Sequence, residues 1–98
     1  MTETTKTCRL PSESTLKSVA NLAIVHDKPV LFDYWTDSIE KIAFIGTNNE
    51  KEKHLVKNSK EYTSTIVKLF KTKSELIVIT ENSIYVVDGS LESRLISF

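Results

Sequence analysis

The two histidines and the single cysteine are the side chains best suited to catalysis or metal binding. His26 and Asp27 could act as a general base and its orienting carboxylate. Cys8, with His26 and His54, could supply a thiol nucleophile or a set of metal ligands. Neighbouring helical residues do not face each other, and these spacings match no zinc-binding pattern. We therefore expect no catalytic residue, no metal site and no bound cofactor in this group.

Two carboxylates, Asp33 and Asp37, flank Trp35 and could form an acid–base pair. Asp37 also suits a turn, because its side chain can bond to the backbone two residues on. Gly46 and Gly89 are the only glycines, which leaves no glycine-rich loop for phosphate. The sequence therefore predicts a protein that is not an enzyme.

The segment from Lys51 to Lys73 is the most strongly charged part of the chain. It holds seven lysines and two glutamates, a net charge of +5 in a chain whose formal charge is zero. Such a segment could bind single-stranded nucleic acid through phosphate contacts and base stacking. The candidate contacts are Lys51, Lys53, Lys57, Lys60, Tyr62, Lys68, Phe70, Lys71 and Lys73. The alternative, favoured by the absence of arginine here, is an edge hairpin whose lysines prevent unwanted strand pairing.

An aromatic run at residues 32–35 offers a different kind of contact. Phe32 and Tyr34 share one face of an expected strand and should lie in the core. Trp35, at the end of that strand, is a candidate for a partly exposed contact, with the core as its alternative. Together with apolar residues nearer the carboxyl end it gives the candidate interaction residues Trp35, Ile84, Val86, Leu95, Ile96 and Phe98.

A helix should position the first part of the chain. Ser12 or Ser14 can cap its amino end, and Pro29 disfavours helical geometry beyond Asp27. The spacing of the apolar residues between these limits predicts one stripe that packs on a sheet. The members of this stripe are Leu16, Val19, Ala20, Ala23 and Ile24.

After Pro29 the chain is rich in short β-branched and aromatic runs. These runs predict strands at residues 30–35, 39–45, 52–56, 62–71, 76–80 and 84–87, with residues 81–83 as a hairpin turn. The short connections are typical of antiparallel neighbours and predict no parallel crossovers. The predicted fold is therefore α+β, with one N-terminal helix packed on an antiparallel meander of five or six strands that curls toward a half-barrel.

The predicted strands at 76–80 and 84–87 are apolar on both faces. One helix can cover only one face of a sheet, so the other face needs a rolled sheet, the C-terminal segment or a partner chain. A second copy is the simplest partner, with Leu95, Ile96 and Phe98 reaching across as an exchanged strand. These patterns predict a homo-oligomer or a complex with another protein.

Length and composition predict a single domain. We expect a mobile tail at residues 1–11, a globular domain at 12–89, and at 90–98 either an extra strand or a docking tail. The lone Cys8 cannot form an internal disulfide, and the sequence has neither a signal-peptide pattern nor an apolar run long enough to span a bilayer. The expected location is intracellular, either cytoplasmic or nuclear, with no secretion and no membrane partner.

Three stretches, "DKPVLFDYWTDS" (27–38), "KEYTSTIVKLF" (60–70) and "TENSIYVV" (80–87), resemble small, functionally uncharacterised proteins of large double-stranded DNA viruses that infect algae and protists. The resemblance covers residues 14–88 and brings no catalytic residues with it. It implies an intracellular viral product that could be packaged in the virion. The expected function is a non-enzymatic structural or protein-interaction module that self-associates, with single-stranded nucleic-acid binding through residues 51–73 as the alternative.

Overall fold

The computed structural model describes residues 10–97 and has an α+β fold. Helix α1 spans Glu13–His26 and the short helix α2 spans Trp35–Ile39. The strands of the described part are β1 (Val30–Leu31), β2 (Phe44–Thr47), β3 (Lys53–Asn58), β4 (Glu61–Tyr62), β5 (Ile66–Lys71), β6 (Glu75–Thr80), β7 (Ile84–Asp88) and β8 (Ser93–Leu95). The predicted class and the packing of the N-terminal helix on the strands are confirmed.

The strands form two sheets instead of one meander. The central sheet has the order β1-β7-β6-β5, and the outer sheet has the order β4-β3-β2-β8. Side chains alternate along β6, so Ile77 and Ile79 pack with Val19 of α1 on one face. Val78 packs with Leu55 of β3 on the other face. The central sheet is therefore covered on both sides, by α1 and by the outer sheet.

This layering covers both faces of the apolar strands β6 and β7. The sequence predicted that the face opposite the helix would need a rolled sheet, the C-terminal segment or a second chain. The outer sheet supplies that cover from within the same chain, because the chain crosses between sheets after β4. The predicted strand at 62–71 is broken there, between β4 and β5. Thr63, which follows β4, is buried, and its hydroxyl accepts a hydrogen bond from the Leu55 amide at 3.0 Å.

Helix α1 begins and ends where the sequence predicted. The hydroxyl of Ser12 accepts a hydrogen bond from the Thr15 amide at 3.4 Å, which caps the first turn. Asp27 takes a left-handed conformation at the carboxyl end, and its N–H donates to the carbonyl of Ala23. Local capping chemistry therefore fixes both boundaries.

The predicted packing stripe of α1 is only partly right. Val19 is buried and Ala23 is partly buried against the sheet, but Leu16, Ala20 and Ile24 are exposed. The helix is rotated so that the polar Thr15 lies in the interior instead. Apolar spacing alone could not show this rotation.

The prediction of an entirely antiparallel arrangement is wrong at two places. Strand β1 pairs with β7 in parallel, with Val30 opposite Ile84, and β2 pairs with β8 in parallel, with Gly46 opposite Arg94. Both pairs join strands that are far apart in the sequence, so the short local connections do not restrict them. The neighbouring pairs β2–β3, β3–β4, β5–β6 and β6–β7 are antiparallel, as predicted.

The first two predicted strands are much shorter than expected because a helix interrupts them. The strand predicted at 30–35 ends at Leu31, and residues 35–39 of the next stretch form α2. Ser38 stabilises this helix, since its hydroxyl donates to the Trp35 carbonyl at 2.6 Å and accepts from the Asp88 amide at 2.9 Å. These bonds hold α2 against the end of β7.

The turn at residues 81–83 is the predicted hairpin connection between β6 and β7. The Thr80 amide donates to the Ser83 carbonyl at 2.9 Å, and the Thr80 hydroxyl accepts from the Ser83 amide at 3.1 Å. At the other end of the chain Pro11 is buried, so the packed domain includes a residue that was assigned to the tail. Residues 1–9 of that predicted tail lie outside the described residues.

Candidate interaction surface

Strand β5 forms one edge of the central sheet. It pairs with β6 along one side, and within residues 10–97 no strand pairs with its other side. Its six residues contain neither proline nor glycine, the residues that commonly interrupt an edge. Three apolar side chains are substantially exposed along it: Val67 at 54%, Leu69 at 38% and Phe70 at 37%.

A bulge at Val67 sets which way the side chains of β5 project. Ile66 lies opposite Thr80 and Lys68 lies opposite Ile79, so the residue between them is the extra one. Beyond the bulge, Phe70 lies opposite Ile77. Lys68 and Phe70 therefore share the face of the sheet that α1 covers, whereas Leu69 and Lys71 share the face toward the outer sheet.

The two lysines of β5 lie against groups of their own chain. The Lys68 ammonium nitrogen is 5.8 Å from the centroid of the Phe70 ring, within the range of a cation–π contact. The Lys71 nitrogen donates to the carbonyl of Gly89 at 2.8 Å. Gly89 follows β7, two strands into the sheet, so the Lys71 side chain points away from the open edge.

A shallow groove runs beside this edge, between α1 and β5. Its volume is about 380 Å³, and its apolar lining residues are Leu22, Phe70 and Ile77. Ser18 and Thr72 add hydroxyl groups to its rim. The apolar surface of β5 therefore continues onto the flank of the helix.

Other exposed apolar side chains lie apart from this edge. Ile24, at 79% exposure, belongs to the outward flank of α1, and Leu95, at 88% exposure, lies on β8 at an edge of the outer sheet. Strand β8 has three residues, all exposed. It lies at the edge of the outer sheet and pairs in parallel with β2. A longer strand offers more backbone pairing, so β5 is the stronger interaction candidate.

The candidate interaction residues named from the sequence fall in very different places. Trp35 was a candidate for a partly exposed contact, with the core as its alternative; it is 6% exposed, because it begins α2 and packs in the cluster around Val19. Ile84 and Val86 are fully buried, since β7 is an internal strand of the central sheet. These three assignments are wrong.

The C-terminal candidates are only partly available for contact. Leu95 is exposed. Ile96 is partly buried, and its amide donates to the Thr47 carbonyl at 2.9 Å. Phe98 lies outside the described residues. The segment does form an extra strand, β8, at the edge of the outer sheet.

The basic segment does not form one hairpin. Its first part lies in β3 and β4 of the outer sheet, whereas its last part lies in β5 of the central sheet. Tyr62 and Phe70, the two proposed stacking rings, are therefore in different sheets. Four of its lysines are exposed and outside β5, namely Lys51, Lys53, Lys60 and Lys73.

Lys57 has a structural role within this segment. Its nitrogen is 3.0 Å from a carboxylate oxygen of Asp37 and 5.1 Å from the centroid of the Tyr34 ring. The hydrogen bond with Asp37 raises the pKa of Lys57. This contact joins β3 to α2. It also occupies Asp37, which was considered as the acid–base partner of Asp33.

The two histidines lie in separate parts of the structure, and His54 makes structural contacts. The Nδ1 atom of His54 is 2.9 Å from the Thr63 carbonyl oxygen, and its ring packs edge-on against Tyr62 at 5.6 Å between centroids. His26 is the last residue of α1. Cys8 lies outside the described residues. Residues 10–97 bring together no group of three side chains suited to hold a metal ion.

Val67 and Leu69, the two other exposed apolar residues of β5, were not among the interaction candidates named from the sequence. The usable signal was an unbroken apolar and basic strand, which the sequence does show at residues 66–71. The missing information was its place at the edge of a sheet, which depends on pairing between distant strands. Lys68, Phe70 and Lys71 were named for nucleic-acid contact and lie on the same edge.

No family model, no curated protein and no solved structure matches this chain. Neither helix within residues 10–97 combines the length and the apolar character that crossing a membrane requires. An assignment of function therefore depends on the geometry of β5 and its surroundings.

Proposed function

We propose that the protein is a non-enzymatic interaction module that self-associates by pairing β5 with a strand of its partner. The main support for this proposal is the position of β5 at the edge of the sheet and the exposure of its apolar side chains. Strand β5 is a six-residue edge strand with three exposed apolar side chains, and both of its lysines are turned toward their own chain.

The driving forces are those of strand addition to an open sheet. An edge strand presents backbone N–H and C=O groups that another extended strand can satisfy. Pairing would also remove part of Val67, Leu69 and Phe70 from water, and full burial of such a side chain is worth about 1.5–3 kcal/mol. The cost of ordering two chains opposes this gain, so the expected association is moderate in strength.

The competing interpretation is an edge protected against pairing. Lysines and bulges are common protective features, and β5 has two lysines and a bulge at Val67. Protection by charge requires ammonium groups that stand in the path of an incoming strand. The Lys71 ammonium is bonded to the Gly89 carbonyl, away from the edge, and the Lys68 ammonium lies near the Phe70 ring of its own strand, which favours an edge that can pair.

Sedimentation velocity over a range of protein concentrations tests the proposal. The wild-type protein should form an oligomer at tens of micromolar, and Leu69→Lys should shift it to monomer by placing a charge in the paired edge. Leu95→Lys is the matched control, because it adds the same charge at an exposed site on the edge of the other sheet. Circular dichroism should show that both variants are folded.

Two results would contradict the proposal. One is a wild-type protein that stays monomeric at the highest concentration. The other is an oligomer that Leu69→Lys leaves intact, or that Leu95→Lys dissociates instead, since either would place the contact away from β5.

A further inference from the structure

We infer that the partner of β5 is β5 of a second copy, paired antiparallel about a twofold axis centred on Leu69. In this register Lys68 lies opposite Phe70 of the second copy. The inference rests on the proposed function, and it adds the identity of the partner and the register of the contact.

The alternation of side chains limits the possible registers. Directly opposite residues in an antiparallel pair project from the same face of the combined sheet. A twofold axis perpendicular to the sheet leaves equivalent faces of the two copies on the same side of the combined sheet. Lys68 and Phe70 share one face while Leu69 lies on the other, so the axis must pass through a residue position and not between two residues.

Charge and strand length then select one centre. An axis at Lys68 would place two ammonium groups directly opposite each other, which is unfavourable. An axis at Phe70 would shorten the paired ladder, because β5 ends at Lys71. An axis at Leu69 pairs Leu69 with itself and lets the ladder extend from Val67 to Lys71.

The Leu69 register is also complementary in chemistry. Each Lys68 lies opposite the Phe70 ring of the other copy. The same two side chains already form a cation–π contact within one chain, at 5.8 Å. Each Lys71 lies opposite Val67, so no lysine meets another lysine. A strand that is complementary to itself in this way fits a second copy of this chain.

Disulfide trapping tests the register directly. In a Cys8→Ser background, Leu69→Cys should form a covalent dimer under mild oxidation, because opposite residues at the axis have Cβ atoms roughly 4.5–5.5 Å apart. Val67→Cys is the matched control on the same strand. It is more exposed than Leu69, but its counterpart in the second copy would lie four residues away along the ladder.

A charge exchange tests separately whether Lys68 lies opposite Phe70 of the second copy. Phe70→Lys would place a lysine opposite Lys68 of the second copy and should weaken dimerisation by about tenfold. Adding Lys68→Glu to that variant should restore the dimer, because each lysine then faces a carboxylate. Sedimentation equilibrium measures both changes.

The outcomes separate the register from the proposed function. A dimer that sediments like the wild type but cross-links equally at residues 67 and 69 overturns the register and leaves edge pairing in place. A dimer in which Leu69→Cys fails to cross-link also overturns the register. Absence of any dimer overturns the proposed function as well.

Discussion

The hydroxyl of Thr15 donates a hydrogen bond to a carboxyl oxygen of Glu75 over 2.7 Å, in a place where both residues are almost completely buried. Ser12 reaches the same oxygen at 2.8 Å. These contacts fasten the first turn of α1 to the start of β6. They fix the rotation of the helix, so that Val19 points into the core while Leu16 and Ile24 point outward.

Replacing Thr15 with valine should destabilise the domain by about 1–3 kcal/mol, because the buried Glu75 oxygen would lose one of its hydroxyl donors while the shape of the side chain is kept. Urea unfolding followed by circular dichroism measures the change. Thr36→Val, at an exposed helical position, is the control and should change stability little. Equal stability of the two variants would show that the Thr15 contact does not fix the helix.

Val19→Asp should unfold the domain, since a charge at this buried site costs several kcal/mol, comparable to the stability of a small domain. Ile24→Asp belongs to the same predicted stripe but should be tolerated, because Ile24 is exposed. Thermal unfolding distinguishes the pair. A folded Val19→Asp variant, or an unfolded Ile24→Asp variant, would mean that the helix packs through a different face.

Local patterns predicted much of the chain correctly. The capping residue Ser12 marked the start of α1, and β-branched runs marked β3, β6 and β7. Periodicity did not show that a threonine would enter the core, because the partner that satisfies Thr15 lies 60 residues away. Elements defined by nearby residues could therefore be predicted, whereas the rotation of α1 could not.

The candidate site was harder to predict for a related reason. Strand β7 supplied two candidate interaction residues, Ile84 and Val86, but a strand inside a sheet covered on both faces has the same apolar composition. Strand β5 was interpreted as part of a basic hairpin, because its position at the edge depends on the break after Tyr62. Edge and centre are properties of long-range pairing, which short sequence patterns do not specify.

Stability should fall as pH rises from about 10 to about 12. Burial raises the pKa of Tyr34 from 10.0 to about 12, and burial also raises the pKa of Tyr85. In this window the unfolded chain loses phenolic protons that the folded chain keeps, so ionisation favours unfolding. Tyr34 should contribute on the order of 2 kcal/mol to this loss.

Urea unfolding on both sides of pH 10 checks the alkaline effect. Tyr34→Phe should flatten the fall in stability, because the residue no longer ionises in the unfolded chain. Tyr62→Phe, at an exposed position, is the control and should retain the wild-type fall. If Tyr34→Phe shows the same fall in stability as the wild type, ionisation of Tyr34 does not cause that fall.

Gly46→Ala should loosen the C-terminal strand. A Cβ at Gly46 would lie 2.8 Å from Cγ2 of Ile96 and 3.0 Å from Cγ2 of the buried Val56. Ile96 can move more easily, so its amide should lose its bond to the Thr47 carbonyl and exchange faster with deuterium. Adding Ile96→Ala should recover part of the lost stability. Additive effects of the two changes would show that these residues are not coupled.

Hydrogen–deuterium exchange as a function of protein concentration reports directly on whether β5 pairs between copies. Pairing of β5 predicts that exchange within residues 66–71 slows as concentration rises, in step with the oligomer seen by sedimentation, while residues 93–95 of β8 stay unchanged. Exchange within residues 66–71 that is independent of concentration, or a slowing confined to residues 93–95, would contradict the pairing of β5 between copies.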